Sequence, residues 1–257
     1  MPSDDPILTV HNLTVTVTPP AGEPRVLLRD ISLSLQPGRC VAVVGESGSG
    51  KTTLAKAVAG LLPKSMTLTG DLAPRGTVGY MFQDAAAALN PLRRVAWQIE
   101  EALRAQGMPR AERKAAVAEQ LRRAEIPDID RYARRYPHEL SGGLAQRVLL
   151  AAVLAANPSI LIADEPTSAL DMSTQQRIAA LLRRLTHDDG IGMLLITHDL
   201  TLAAQLADQI AVLYQGELVE QGDVEHVFTE PRHAYTRELV GALPRRTRPV
   251  RRRTEAP

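Results

Sequence analysis

The sequence predicts an α/β fold with a mostly parallel core sheet, an antiparallel β layer at the N-terminal end and a helical insertion. Three observations carry this. Short apolar runs at Val41–Val44, Ile160–Ala163 and Met193–Ile196 are flanked by helical sequence, the pattern of buried parallel strands with crossover helices. The first 35 residues read instead as two strands joined by a turn. Between Gln83 and Leu140 the chain is rich in Ala, Arg, Glu and Gln, with the periodicity of helices.

Ile7 to Val17 alternates in places and is rich in Thr and Val, residues suited to a pleated strand. Pro19, Pro20, Gly22 and Pro24 make a turn, and Val26 to Leu35 follows as the second strand of the layer. Val41–Val44 runs into glycines and then into a helix that begins near Lys51. Within the insertion, placed at about 84–140, helices are expected over Val95 to Gln106 and Arg110 to Glu125. No repeat of roughly 20–50 residues is present. A single domain is expected over 1–244, followed by a basic tail, 245–257.

The charged fraction of 23% and the hydrophobic fraction of 44% are those of an ordinary globular chain of 257 residues. Cys40 is the only cysteine, so no internal disulfide and no cysteine-ligated metal or iron–sulfur site can form. That points to a reducing compartment. The acidic start, Met1 to Pro6, does not read as a secretory signal. The longest apolar run, Val148 to Ala156, has nine residues, against the ~20 that span a bilayer. Membrane spans, if the protein works at a membrane, must come from other subunits. Six arginines at 245–253, with no acid among them, leave a net charge of −4 on the chain outside the stretch after Pro244. The tail is expected to be solvated and disordered, contact with anionic lipid or nucleic acid being the alternative for such a basic run. It does not mark a nucleic-acid-binding protein.

The sharpest motif is Gly45-Glu46-Ser47-Gly48-Ser49-Gly50-Lys51-Thr52, which fits G-x-x-x-x-G-K-[ST] between a predicted strand and a predicted helix. Its glycines let successive N–H groups point inward at a phosphate, and the helix start adds its positive end. Lys51 is expected to reach the β- and γ-phosphates, the Thr52 hydroxyl to hold Mg²⁺, and Thr53 to follow in the same helical turn. The bland alternative, a Gly/Ser loop matching by chance, explains neither the strand nor the helix.

Ile160-Leu161-Ile162-Ala163-Asp164-Glu165 is the complement. An apolar strand ending in two carboxylates places them at the C-terminal edge of the sheet, where open α/β sheets bind ligands. Asp164 is expected to help hold Mg²⁺, and Glu165 to polarise the attacking water as general base. Alone this would read as a solvated acidic turn. Paired with the phosphate loop it defines a P-loop nucleoside triphosphatase.

Leu140-Ser141-Gly142-Gly143-Leu144-Ala145-Gln146-Arg147 narrows the class, since it resembles the signature motif of the ABC ATPase family. The resemblance implies that two such domains pack head to tail, with Ser141, Gly142 and Gly143 of one capping the ATP held by the other. Leu144 stands where the family usually has Gln. Other matches follow in the family's order. Gln83, in Tyr80-Met81-Phe82-Gln83-Asp84, resembles the glutamine that senses Mg²⁺ and water. Ser168-Ala169-Leu170-Asp171 resembles the loop between the two ATP sites, and His198, in Ile196-Thr197-His198-Asp199, resembles the switch histidine at the γ-phosphate. Val17 matches the position where importer-type members stack an aromatic residue on adenine, and no aromatic is present there.

Gly216 to Gly222, Glu230-Pro231-Arg232-His233-Ala234-Tyr235-Thr236 and Ala242-Leu243-Pro244 resemble the end of the peptide/nickel importer branch. Longer members of that branch continue into a cysteine-containing extension for an iron–sulfur cluster, which this sequence lacks. The resemblance spans roughly residues 7 to 244. It implies an ATPase that powers import of peptides, nickel or metal chelates from the cytoplasmic face of the inner membrane. Implied partners are two transmembrane permease subunits, a second ABC ATPase, commonly different but open to being a copy, and indirectly an extracytoplasmic solute-binding protein. Two other readings compete: an ABC-type ATPase accessory to a soluble enzyme complex such as phosphonate breakdown, and a small-molecule phosphotransferase. The latter has no use for the signature motif or the histidine.

Overall fold

The computed structural model describes residues 5–20, 22–168 and 170–243; the basic tail expected at 245–257 lies outside them. A three-stranded antiparallel sheet has β1 (Leu8–Val17) at its centre, between β2 (Arg25–Leu35) and β4 (Met66–Pro74). Alternation along β1 buries Leu8 and Val10, then skips to Leu13 and Val15. The slip is a bulge at Asn12, in the left-handed region with φ 50° and facing Gly70, where a Cβ would stand 2.3 Å from the Asn12 carbonyl oxygen. One extra residue thus keeps both apolar pairs on the core face.

The larger sheet has the order β5 (Val78–Met81), β6 (Ile160–Asp164), β7 (Gly192–Thr197), β3 (Cys40–Val44), β8 (Gln209–Tyr214), β9 (Glu217–Asp223). Its first five strands are parallel, and β9 closes the edge as the antiparallel arm of a hairpin. Because successive strand residues point to opposite faces, each central strand feeds two separate cores. Val41, Val43, Leu194 and Ile196 pack with the antiparallel sheet and with helix α1 (Lys51–Val58). Ala42, Val44, Met193 and Leu195 pack with the remaining helices.

Between β5 and β6 lie α2 (Ala85–Ala88), α3 (Val95–Ala105), α4 (Arg110–Arg123), α5 (Ile129–Tyr132) and α6 (Gly142–Leu154). Val95, Ile99 and Leu103 recur every four residues on α3 and are buried, as are Val117 and Leu121 on α4. These side chains join the cluster beneath the large sheet. The chain continues through α7 (Met172–His187), α8 (Leu200–Leu206), α9 (Val224–Thr229) and α10 (Ala234–Gly241). Among the described residues no helix is long and apolar enough to cross a membrane.

Candidate active site

The loop between β3 and α1 is shaped by what presses on its glycines. A Cβ on Gly45 would stand 2.1 Å from the Leu213 carbonyl oxygen, and one on Gly50, at φ 107°, 2.7 Å from Leu28 Cδ2. Neither position admits a side chain. Lys51, the first residue of α1, is buried, and its Nζ donates to the carbonyls of Gly45 and Glu46, both at 2.8 Å. Burial pushes the Lys51 pKa down, against the pull of Glu165, Asp164 and Glu46.

Asp164 closes β6 and is buried at its end. The Tyr80 hydroxyl donates to Asp164 Oδ2 at 2.7 Å, and Thr52 Oγ1 lies 3.4 Å from Oδ1 on the donating side. Burial raises the Asp164 pKa, while these two hydrogen bonds oppose the rise. Glu165 has left-handed backbone, φ 49°, pinned by its N–H to the Ile196 carbonyl at 2.9 Å and by the Ser168 hydroxyl on its own carbonyl at 3.0 Å. Such a conformation in a non-glycine residue persists only where its surroundings enforce it. The turn carries the carboxylate to His198, whose backbone N–H donates to Glu165 Oε1 at 3.1 Å and whose Nδ1 lies 2.7 Å from the same oxygen.

One cavity of about 610 Å³ gathers Glu46, Ser47, Gly48, Gly50, Lys51, Thr52, Thr53, Gln83, Glu165 and His198. Residues from four parts of the chain thus meet at the C-terminal edge of the parallel strands. Ser49 is buried within the loop itself, and Asp164 lies at the foot of the cavity through its contact with Thr52. A larger groove of about 800 Å³, between α7, α8 and α9, holds none of the residues singled out in the sequence.

The signature residues stand apart from this cavity. Ser141 caps α6, its Oγ accepting the Leu144 N–H at 3.4 Å. Gly143 packs on α7 so closely that a Cβ would stand 2.4 Å from Thr174 Cγ2. Asp171 caps α7; the hydroxyls of Thr174 and Ser173, each at 2.7 Å, and the Thr174 N–H hold its carboxyl well below the usual range. Gly142 shares with Gln83 a second cleft of about 510 Å³, so Gln83 borders both spaces. Val17 ends β1, half-buried, outside the residues that line the phosphate-loop cavity.

Two tyrosines of the site went unread in the sequence. Tyr80 was only the context of Gln83, and Tyr235, whose hydroxyl accepts the Glu46 N–H at 2.8 Å, belonged to a C-terminal resemblance with no role attached. No local signal points from either to its partner.

A phosphate loop and a carboxylate pair brought to one cavity at the sheet edge make this a P-loop nucleoside triphosphatase. Within that class the chain belongs to the ABC transporter family, whose sequence profile matches residues 28–168. The oligopeptide transport ATP-binding protein OppD of Lactococcus lactis subsp. cremoris (strain SK11) is 40% identical over 243 residues, covering 87% of this chain and 72% of that protein. The peptidoglycan transport ATP-binding protein YejF of Agrobacterium fabrum (strain C58) is 40% identical over 260 residues, covering 93% and 47%. Among solved structures, the dimeric ATP-binding cassette MJ0796 bound to ADP and Pi after hydrolysis is 32% identical, with a TM-score of 0.72 over 84% of this chain and 98% of that one. As a cassette of this family the protein binds and hydrolyses ATP.

Proposed function

We propose that the protein is the ATP-hydrolysing subunit of a peptide importer, bound at the cytoplasmic face of the membrane to two permease subunits and to a second cassette. The observation that carries the chemistry is the convergence of Lys51, Gln83, Glu165 and His198 on one cavity. The assignment to peptide import is supported by relatives of about 40% identity that are named for oligopeptide and peptidoglycan transport.

The N–H groups of the loop and Lys51 hold the β- and γ-phosphates. Glu165 Oε1 is committed to His198, which leaves Oε2 to accept the proton of the attacking water. His198, by its far ring nitrogen, contacts the γ-phosphate. The donor set fits Mg²⁺: Thr52 Oγ1 and Asp164 Oδ1 are hard oxygens that face each other, with Gln83 on the cavity wall. When bound, Mg²⁺ neutralises charge on the β- and γ-oxygens.

Ser141, Gly142, Gly143 and Asp171 lie outside the chain's own phosphate cavity, which supports their use across a head-to-tail dimer with a different or an identical cassette. The reading is tested by reconstituting the chain with two permease subunits, a partner cassette and a solute-binding protein. Peptide uptake driven by ATP is expected. ATP turnover that ignores the permeases and responds instead to a soluble enzyme complex would overturn it.

A further inference from the structure

The segment Glu230–Thr236, singled out in the sequence and unused by the chemistry above, returns to the phosphate loop. Glu220 on β9 accepts the backbone N–H groups of Arg232 at 2.8 Å and His233 at 2.9 Å. Burial opposes the charge on Glu220, but these two donors hold its carboxyl below the usual range. They fix the turn before α10, where His233 Nδ1 accepts the Tyr235 N–H at 3.3 Å as the cap of the helix. The Tyr235 ring then packs on Tyr214 at the end of β8, with centroids 4.1 Å apart, and its hydroxyl accepts the Glu46 N–H at 2.8 Å.

That N–H belongs to the same peptide unit as the Gly45 carbonyl, which accepts from Lys51 Nζ at 2.8 Å. The unit is therefore held at both polar ends, by Lys51 on one and by Tyr235 on the other. Glycine is conformationally permissive, so a single tie would hold this peptide less firmly than two. Lys51 also donates to the Glu46 carbonyl. An ammonium has three donors, so a lysine that engages phosphate oxygens gives up or shares its carbonyls. Tyr235 itself does not line the phosphate cavity, so its hydroxyl is not drawn off by a phosphate as the Lys51 ammonium is. A second tie runs the same way: the Gly216 N–H, in the turn between β8 and β9, donates to the Ser49 carbonyl at 3.0 Å.

We infer that Tyr235 is a positioning residue of the ATPase, holding the Gly45–Glu46 peptide so that the remaining N–H groups of the loop converge on phosphate. The inference rests on the loop being the nucleotide site. A pre-set loop lowers the ordering cost of binding, so the effect falls on affinity for ATP and ADP alike, more than on the chemical step.

Tyr235→Phe in the full chain keeps the ring on Tyr214 and deletes only the hydroxyl. Loss of one such bond is expected to weaken ATP and ADP binding by about fivefold. KM for ATP, measured with partner subunits, should rise with it while kcat stays within about twofold. Hydrogen exchange at the Glu46 amide should quicken in the nucleotide-free variant, a readout that general destabilisation does not single out. Glu220→Gln, which loosens the turn carrying Tyr235, should act in the same direction more weakly and add nothing on top of Tyr235→Phe. Unchanged nucleotide affinity with an unchanged Glu46 amide overturns the inference. So does a loss of affinity that merely follows a lower melting temperature, with Glu46 no faster than its neighbours. If Tyr235→Phe fails to fold, Glu220→Gln decides by the same two readouts. A wild-type chain that binds no ATP would sink the reading of the loop instead.

Discussion

His198 meets Glu165 twice, with its backbone N–H at 3.1 Å and its ring Nδ1 at 2.7 Å from the same carboxylate oxygen. A carboxylate only accepts, so Nδ1 carries the proton in this contact and Nε2 faces away from Glu165. The two residues directly follow neighbouring strands, β6 and β7, and the left-handed turn at Glu165 is what lets its side chain reach across. In the proposed mechanism the pair acts as one unit, with the histidine fixing the position of the base.

Glu165→Gln keeps an acceptor for both His198 contacts but loses the basic oxygen. ATP binding should persist while turnover falls by ~10²–10⁴-fold, the usual cost of losing a positioned base. Phosphate release measured with the partner subunits checks this. A wild-type rate would remove Glu165 from the role.

Lys51→Ala and Ser141→Arg test the proposed composite site by its two halves. Lys51 lines the chain's own cavity and Ser141 does not, so only the first should abolish ATP binding by the isolated chain. Ser141→Arg should block closure of the dimer instead, by placing bulk where the proposed arrangement sets the opposite γ-phosphate. Because Ser141 also caps α6, Ser141→Ala is the stability control, with about 1 kcal/mol expected for the cap alone. Equal loss of monomer binding in Lys51→Ala and Ser141→Arg would argue against the head-to-tail arrangement.

Gly143→Ala should loosen the contact between α6 and α7. The added Cβ would stand 2.4 Å from Thr174 Cγ2, and Thr174 cannot turn freely because its hydroxyl is held by Asp171 at 2.7 Å. Overpacking of this kind costs typically ~1–3 kcal/mol. Thr174→Ser removes the clashing methyl and keeps the hydroxyl, so the double variant should regain most of the loss. Urea unfolding of the two single variants and the double variant decides it; a double variant no better than Gly143→Ala would place the cost elsewhere.

What the sequence disclosed follows from how each feature is written in it. β3, β6 and β7 are continuous apolar runs because both their faces are buried, and each ends at a motif that marks it. β4 carries Gly70 at its centre and ends at Pro74, both poor strand residues, and it occupies an edge of the small sheet where they are tolerated. The apolar core of β8, Ile210 to Leu213, is as buried as β3 but has no motif at its end. Lys51 is legible because it opens a helix just after a strand and a glycine loop, and Asp164, Glu165 and His198 because they stand at or just past strand ends in a fixed order. The Tyr80–Asp164 and Tyr235–Glu46 bonds join residues 84 and 189 positions apart, and nothing in linear order encodes that proximity.

Val17, which matches the adenine-stacking position of importer-type members, is the position proposed to face the base of the nucleotide. It ends β1, and Val15, two residues earlier, pairs with Leu28, whose Cδ2 presses on Gly50 of the loop. Two residues before Val17 the strand is therefore one side chain, Leu28, away from the phosphate loop. Stacking a base on an aromatic ring is worth ~1–3 kcal/mol where it has been probed in nucleic-acid sites, and a valine offers no flat face. Most nucleotide affinity should then come from the triphosphate, with weak discrimination between ATP and GTP. Val17→Tyr should tighten ATP binding by about fivefold if about 1 kcal/mol is recovered. The rival arrangement has an aromatic side chain from a partner covering the adenine. Titration of wild type and Val17→Tyr with ATP and with GTP separates the two. A strong wild-type preference for ATP, with no gain from tyrosine, would show that the base is held somewhere other than the end of β1.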